Sequence, residues 1–146
     1  MIQGLEIAPL RIMADNRGKV MKMADVNTPF FERFGEIYFS FINPGVIKGW
    51  KKHSRSTQLF SVPIGAIKFV VFDDRVDSLT KGQIQEIGCG ESAYNLIKMP
   101  AGVWYSWKCL SEFPAMIASL INEPHDPTEA ISSEINNNSI IPYQWK

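Results

Sequence analysis

Charge of one sign is what this sequence most plainly lacks. Lys plus Arg and Asp plus Glu number 15 each, so the formal net charge at pH 7 is zero. No global field recruits a polyanion or an anionic bilayer, and neither nucleic acid nor membrane is an expected partner. No apolar run approaches the ~18 residues that would suggest a membrane-spanning helix. The opening Met1-Ile2-Gln3-Gly4-Leu5-Glu6 has no basic stretch followed by an apolar one, so no secretory signal is expected. Cysteine and histidine are scarce, with two of each. Cys89 and Cys109 have no Cys or His beside them, and two idle thiols in a reducing cytoplasm are expected rather than a disulfide. An internal repeat and a low-complexity linker are missing as well. The expectation is a soluble, cytoplasmic, single domain spanning residues 1–146.

What is present is a series of short runs rich in Val, Ile and Phe. Strands are expected near 5–12, 18–24, 36–42, 46–53, 57–63, 66–73, 83–88, 94–99, 103–110 and 114–122. Turn residues separate them, at Asp15-Asn16-Arg17-Gly18, Asn43-Pro44-Gly45, Pro63-Ile64-Gly65, Thr80-Lys81-Gly82, Gly88-Cys89-Gly90 and Pro100-Ala101-Gly102. Many short strands with Gly and Pro at the turns indicate an all-β sandwich or barrel. The helical period is weak, leaving a helical turn or two only at 29–34 and 128–135. The closing Ile140-Ile141-Pro142-Tyr143-Gln144-Trp145 is apolar enough to pack back onto the domain.

Residues two apart on a strand share a face, so Lys51 and His53 point the same way, as do Tyr105 and Trp107. Gln58 begins the return strand and can meet His53. The spacing of Gly45, Lys51, His53, Gln58 and Gly65, followed by Pro100-Ala101-Gly102 and Tyr105, resembles the two cupin motifs. That resemblance implies a cupin-type double-stranded β-helix, a jelly-roll barrel with an internal pocket. In the four slots that hold metal ligands in cupins, only His53 keeps its type; Lys51, Gln58 and Tyr105 fill the others. A cation at the first slot opposes a metal ion, so neither metal nor cofactor is expected. Lys51 can attract a phosphate or carboxylate, or polarise a carbonyl, and lowers the pKa of His53. Tyr105 can exchange a proton opposite it. The structural alternative has Lys51 reaching to the barrel mouth and His53 as a satisfied core group. Asp73, Asp74 and Asp77 with Arg75 read as a solvated strand end, and His125-Asp126 is a weak candidate dyad. Tyr94, Trp104 and Trp107 can stack on a base or pack a core. The cluster Lys48, Lys51, Lys52 and Arg55 suits a diphosphate.

Longer segments resemble the dTDP-4-dehydrorhamnose 3,5-epimerase family: 30–40, 43–50, 70–75, 99–104, 124–129, the Asp15-Asn16-Arg17-Gly18 element and the closing 141–145. The resemblance covers nearly the whole chain. It implies a homodimeric, metal-independent isomerase, an epimerase or a ketoisomerase, acting on a nucleotide-linked 4-keto-6-deoxy sugar, a dTDP-sugar by family habit, for surface polysaccharide or glycosylated metabolites. The family's base histidine falls on Lys51, its proton-donor tyrosine aligns with Ala118, and a further histidine is Tyr105. Arg17 matches a phosphate-holding arginine, and Lys48 stands where the family often has arginine. Glu36, Tyr38 and Ser40 alternate on a face where ligand contacts are expected. Epimerisation beside a ketone needs a base, an acid on the other face and stabilisation of the enolate oxygen. Lys51, His53, Tyr105, Glu36 and Tyr38 are the candidates for those roles, with Arg17, Ser40, Lys48, Gln58 and Trp107 as binding residues. A sugar-nucleotide-binding cupin without turnover is the alternative.

Overall fold

The computed structural model describes residues 1–146. Twelve strands form two facing five-stranded sheets and one hairpin, all antiparallel. The first sheet runs β1 (Glu6–Pro9), β9 (Asn95–Met99), β6 (Gln58–Ile64), β11 (Ala115–Ile121) and β4 (Glu36–Ile42). The second runs β12 (Ala130–Ser132), β5 (Ile47–His53), β10 (Trp104–Cys109), β7 (Ala66–Phe72) and β8 (Ile84–Gly90). The hairpin is β2 (Ile12–Asp15) with β3 (Gly18–Met21). The non-sequential strand orders are those of a jelly roll. No helix is long and apolar enough to cross a membrane.

Alternation places the core. Phe60 and Val62 of β6, Ile67, Phe69 and Val71 of β7, and Ala115 and Ile117 of β11 meet between the sheets with Ile97, Met99 and Val103. Each of these side chains larger than alanine contributes about 1.5–3 kcal/mol on burial. Strand β7 is buried on its other face too, where Val70 and Phe72 join Trp50, Trp104, Ile141 and Trp145. Its apolar run is therefore unbroken rather than alternating. The C-terminal tail covers that outer face, and Trp145 Nε1 donates to Ser106 Oγ at 2.9 Å.

Several expectations need correction. The first expected strand stops at Pro9, and a separate strand, β2, precedes the Asp15–Gly18 turn. Residues 29–34 are a turn at Pro29-Phe30 followed by irregular chain, not helix. The 128–135 segment, read as a helical turn, instead contributes β12, pairing Ala130 with His53 and Ser132 with Lys51. Gly88-Cys89-Gly90 does not break the chain but ends β8, pairing with Lys68, Ile67 and Ala66. Asp73 is not a solvated strand end. It is fully buried, accepting hydrogen bonds from Arg75, Ser78 Oγ and Thr80 Oγ1, and these hold its carboxyl well below the usual range against the cost of burial. The short 74–83 connection folds back over its own acid, and the sequence spacing does not announce it.

The polar end of the barrel forms a cavity of about 690 Å3 between the sheets. Along β4 the inward face runs Glu36, Tyr38, Ser40 and then Ile42, passing from the cavity lining into the core. Gly49 allows β5 to approach β10 where β5 bulges at Trp50, opposite Tyr105 and Ser106. A Cβ on Gly49 would fall 2.7 Å from the Ser106 Cβ.

Candidate active site

Lys51 and His53 line the second-sheet wall of the cavity, joined from β10 by Tyr105 and Trp107. Glu36, Tyr38 and Ser40 line the facing wall, and Lys48 lies at its edge. Phe60 and Phe69 back the site, with ring centroids 5.5–5.7 Å from Trp107. Gln58 is fully buried behind His53. Arg17 is elsewhere. It stands 85% exposed on the β2–β3 hairpin, paired with Asp15 at 2.6 Å, and does not line the cavity.

The centre of the site is His53. Its Nδ1 lies 2.6 Å from Glu129 Oε2, and its Nε2 lies 2.7 Å from Gln58 Nε2 and 3.1 Å from Tyr105 Oη. Tyr105 Oη donates to Gln58 Oε1 at 2.8 Å. These contacts fix the roles: Gln58 presents its amide N–H to Nε2, so Nε2 carries the lone pair and Nδ1–H donates to Glu129. Burial lowers the pKa of His53, opposed by Glu129 and assisted only secondarily by Lys51. The cause differs from the expected one, in which Lys51 dominated.

Glu129 is the residue the sequence reading missed. Its Oε1 accepts from Ser56 N at 2.7 Å, Ser56 Oγ at 2.5 Å and Arg55 N at 3.2 Å. Burial opposes its charge, but the Ser56, His53 and Arg55 hydrogen bonds outweigh it and hold the carboxyl at about 2. A charged carboxylate therefore sits behind the imidazole, orienting it and stabilising the imidazolium. The only signal for it was its place at the end of the family-like 124–129 segment. The weak His125-Asp126 candidate does not form a dyad, because Asp126 turns to Thr128 and Arg55.

Tyr105 is 3% exposed, and burial raises its pKa well above the ordinary value, so the proton stays on its Oη and is donated to Gln58 Oε1. Tyr38 is raised too, by burial and then by Glu36, and is the more accessible phenol. Neither Lys51 nor Glu36 forms an ion pair within the chain. Lys52, by contrast, turns to the outside, paired with Asp74 at 2.8 Å and lying over Trp104. No three His, Cys, Asp or Glu side chains gather to ligate a metal, and the cupin ligand positions, filled by Lys51, His53, Gln58 and Tyr105, do not suit one.

No protein-family model matches the chain. A Haloferax volcanii protein named "Probable low-salt glycan biosynthesis epimerase" is 30% identical over 144 residues, covering 97% of this chain and 88% of that one. The Bacillus subtilis spore coat polysaccharide biosynthesis protein SpsL is 29% identical over 146 residues, covering 99% and 97%. The crystal structure of a dTDP sugar isomerase from Desulfovibrio desulfuricans superposes with a TM-score of 0.95 at 35% identity, covering 99% of this chain and 92% of that one. The chain belongs to the dTDP-4-dehydrorhamnose 3,5-epimerase-like family. Membership establishes the cupin barrel and an isomerase-type enzyme. The barrel of this chain presents Lys51 and, two residues on, an imidazole with a carboxylate behind it.

Proposed function

We propose that this epimerase acts on a nucleotide-linked 4-keto-6-deoxy sugar, in the first instance a dTDP-sugar, in cytoplasmic biosynthesis of a surface glycan. The names of its relatives support the substrate class. The single observation that carries the chemistry is the buried Glu129–His53 pair on one cavity wall, with Tyr38 on the wall opposite.

A C–H beside a ketone is acidified by the carbonyl. In this reading His53 Nε2 removes that proton, the substrate displacing the Gln58 amide from its lone pair, while Glu129 stabilises the resulting imidazolium. The Lys51 cation lies on the same wall and receives the developing enolate oxygen. Tyr38 returns a proton from the opposite face, which inverts the carbon; turnover closes when the imidazolium releases its proton to solvent and the Tyr38 phenolate regains one from solvent, relayed by the Glu36 carboxylate beside it. Trp107, Ser40 and Lys48 hold the remainder of the ligand. Residues 1–146 act as one domain. The chain pairs as a homodimer through the apolar outer face of β4, and Arg17, outside this chain's own cavity, is then free to reach a partner's ligand.

The test is solvent exchange. Incubation with dTDP-4-keto-6-deoxyglucose in heavy water is expected to place deuterium beside the keto carbon, seen by proton NMR. The His53→Asn variant is expected to slow this about 100- to 10,000-fold, the usual worth of a general base. Binding of the sugar nucleotide with no exchange in the native protein would overturn the catalytic reading in favour of a binding protein.

A further inference from the structure

The wall of the cavity that joins neither sheet is the strap from Asn122 to Glu129; Arg33 shares its near end, Nε donating to the Asn122 carbonyl at 2.8 Å and Nη2 lying 3.5 Å from Glu123 Oε1, and Arg55 is the long-range side chain that reaches its middle, at Asp126. The strap's ends are fixed by hydrogen bonds to the Ser54–Thr57 backbone. Asn122 exchanges hydrogen bonds with Thr57, the Thr57 N–H donating to Asn122 Oδ1 at 2.9 Å, and Ser54 N donates to the Glu129 carbonyl at 2.9 Å. At the near end the Glu123 backbone lies directly over Gly35, where a Cβ would fall 2.2 Å from the Glu123 carbonyl carbon. Between these anchors Arg55 reaches across, Nε to Glu123 Oε2 at 3.2 Å and Nη2 to Asp126 Oδ2 at 3.1 Å. Thr128 and then Arg55 keep the Asp126 carboxyl down at about 2, so the tether is charged throughout the neutral range. Arg55 also donates its backbone N–H to Glu129 Oε1, which places the tether and the carboxylate that orients His53 on one turn.

We propose that Arg55 is a positioning residue that holds the 122–129 strap closed against the cavity, setting substrate affinity without touching the reacting atoms. The inference rests on the reaction proposed above for this site. Pro124 and Pro127 stiffen the strap, and Pro124, His125 and Pro127 line the cavity, so any outward drift opens the wall against which the ligand packs. A ligand binding to a loosened strap must spend part of its affinity reclosing it. Chemistry is less affected, because the Glu129 carboxylate keeps Ser56 as an independent holder. A lysine at 55 supplies the charge but not the fork that reaches two carboxylates at once.

The experiment compares native protein with Arg55→Met and Arg55→Lys. For Arg55→Met, KM is expected to rise about tenfold with kcat changed less than about threefold, and Arg55→Lys is expected to fall between. Amide hydrogen exchange over 123–127 is expected to quicken in Arg55→Met while exchange in β6, β7 and β10 stays native. Native KM, or native exchange over 123–127, in Arg55→Met overturns the inference. So does a loss confined to kcat, which would make Arg55 part of the chemistry. Should the native protein turn over no sugar nucleotide, the proposed reaction fails on its own, and strap exchange still decides whether Arg55 holds the wall.

Discussion

At the scale of single residues, the site depends on two groups far apart in sequence, His53 and Glu129, whose charge states respond to acid in the same direction. His53 is lowered from its ordinary 6.5, chiefly by burial, so the unfolded chain takes up a proton before the folded one does. Glu129 is held at about 2 against 4.5 in an unfolded chain. A depressed carboxyl stabilises the fold at any pH above its unfolded value and loses that contribution as pH falls through the folded one. Both effects therefore remove stability on acidification, the first beginning near 6.5 and the second operating between about 4.5 and 2. The Glu129 difference corresponds to about 3 kcal/mol. Urea titrations from pH 7 to 3 are expected to show a falling midpoint, and Glu129→Gln is expected to flatten the lower part of that fall. An unchanged slope below pH 4.5 in the variant would contradict the assignment. His53, Lys51 and Gln58 were legible beforehand because strand alternation and a short turn determine where they point. Glu129 was not, since nothing local to 124–129 indicates that its carboxylate meets an imidazole on a strand far earlier in the chain.

At the scale of elements, a similar distance in sequence separates what could be read from what could not. β4, β6, β7 and β11 appear in the sequence within a residue or so of their observed bounds, because each is long enough to alternate or to be continuously apolar. β12 is three residues long and exists only because β5 offers it an edge, so no pattern of its own could identify it. The C-terminal tail was legible through composition: Ile141 and Trp145 could not remain in water cheaply, and they cover Trp50, Val70, Phe72 and Trp104. That cover is structural, lying on the outside of the second sheet away from the cavity. Trp145→Ala is accordingly expected to destabilise the protein by about 3–5 kcal/mol. It removes a buried indole and strands the Ser106 hydroxyl, fully buried beneath it. Chemical denaturation measures the loss, and residual native protein is expected to keep its deuterium-exchange rate per folded molecule. A loss of under 1 kcal/mol would mean that the tail only rests on the barrel.

At the scale of the whole molecule, the barrel leaves one feature that a solitary copy does not account for. β4 is an edge strand whose inward side lines the cavity, while its outward side presents Ile37, Phe39 and Phe41 at 50%, 58% and 58% exposure. These sit beside Leu120, Ala118 and Met116 of β11, their pairing partners, and Met116 in turn meets the exposed Ile64 of β6. Aromatic residues in a row on an open edge form an aggregation hazard unless something covers them. A second copy of the same face is the economical cover, because a two-fold arrangement lets each edge bury the other. With no net charge on the chain, there is no overall repulsion to oppose that pairing. Phe39→Glu tests this without disturbing the barrel, since a side chain that exposed contributes little to folding of the single chain. Sedimentation is expected to give twice the chain mass for the native protein and the single-chain mass for the variant, with thermal unfolding of the variant cooperative but less dependent on concentration. Native protein sedimenting as a single chain at tens of micromolar would remove the homodimer. It would also leave Arg17, exposed on its hairpin, with no route to a ligand.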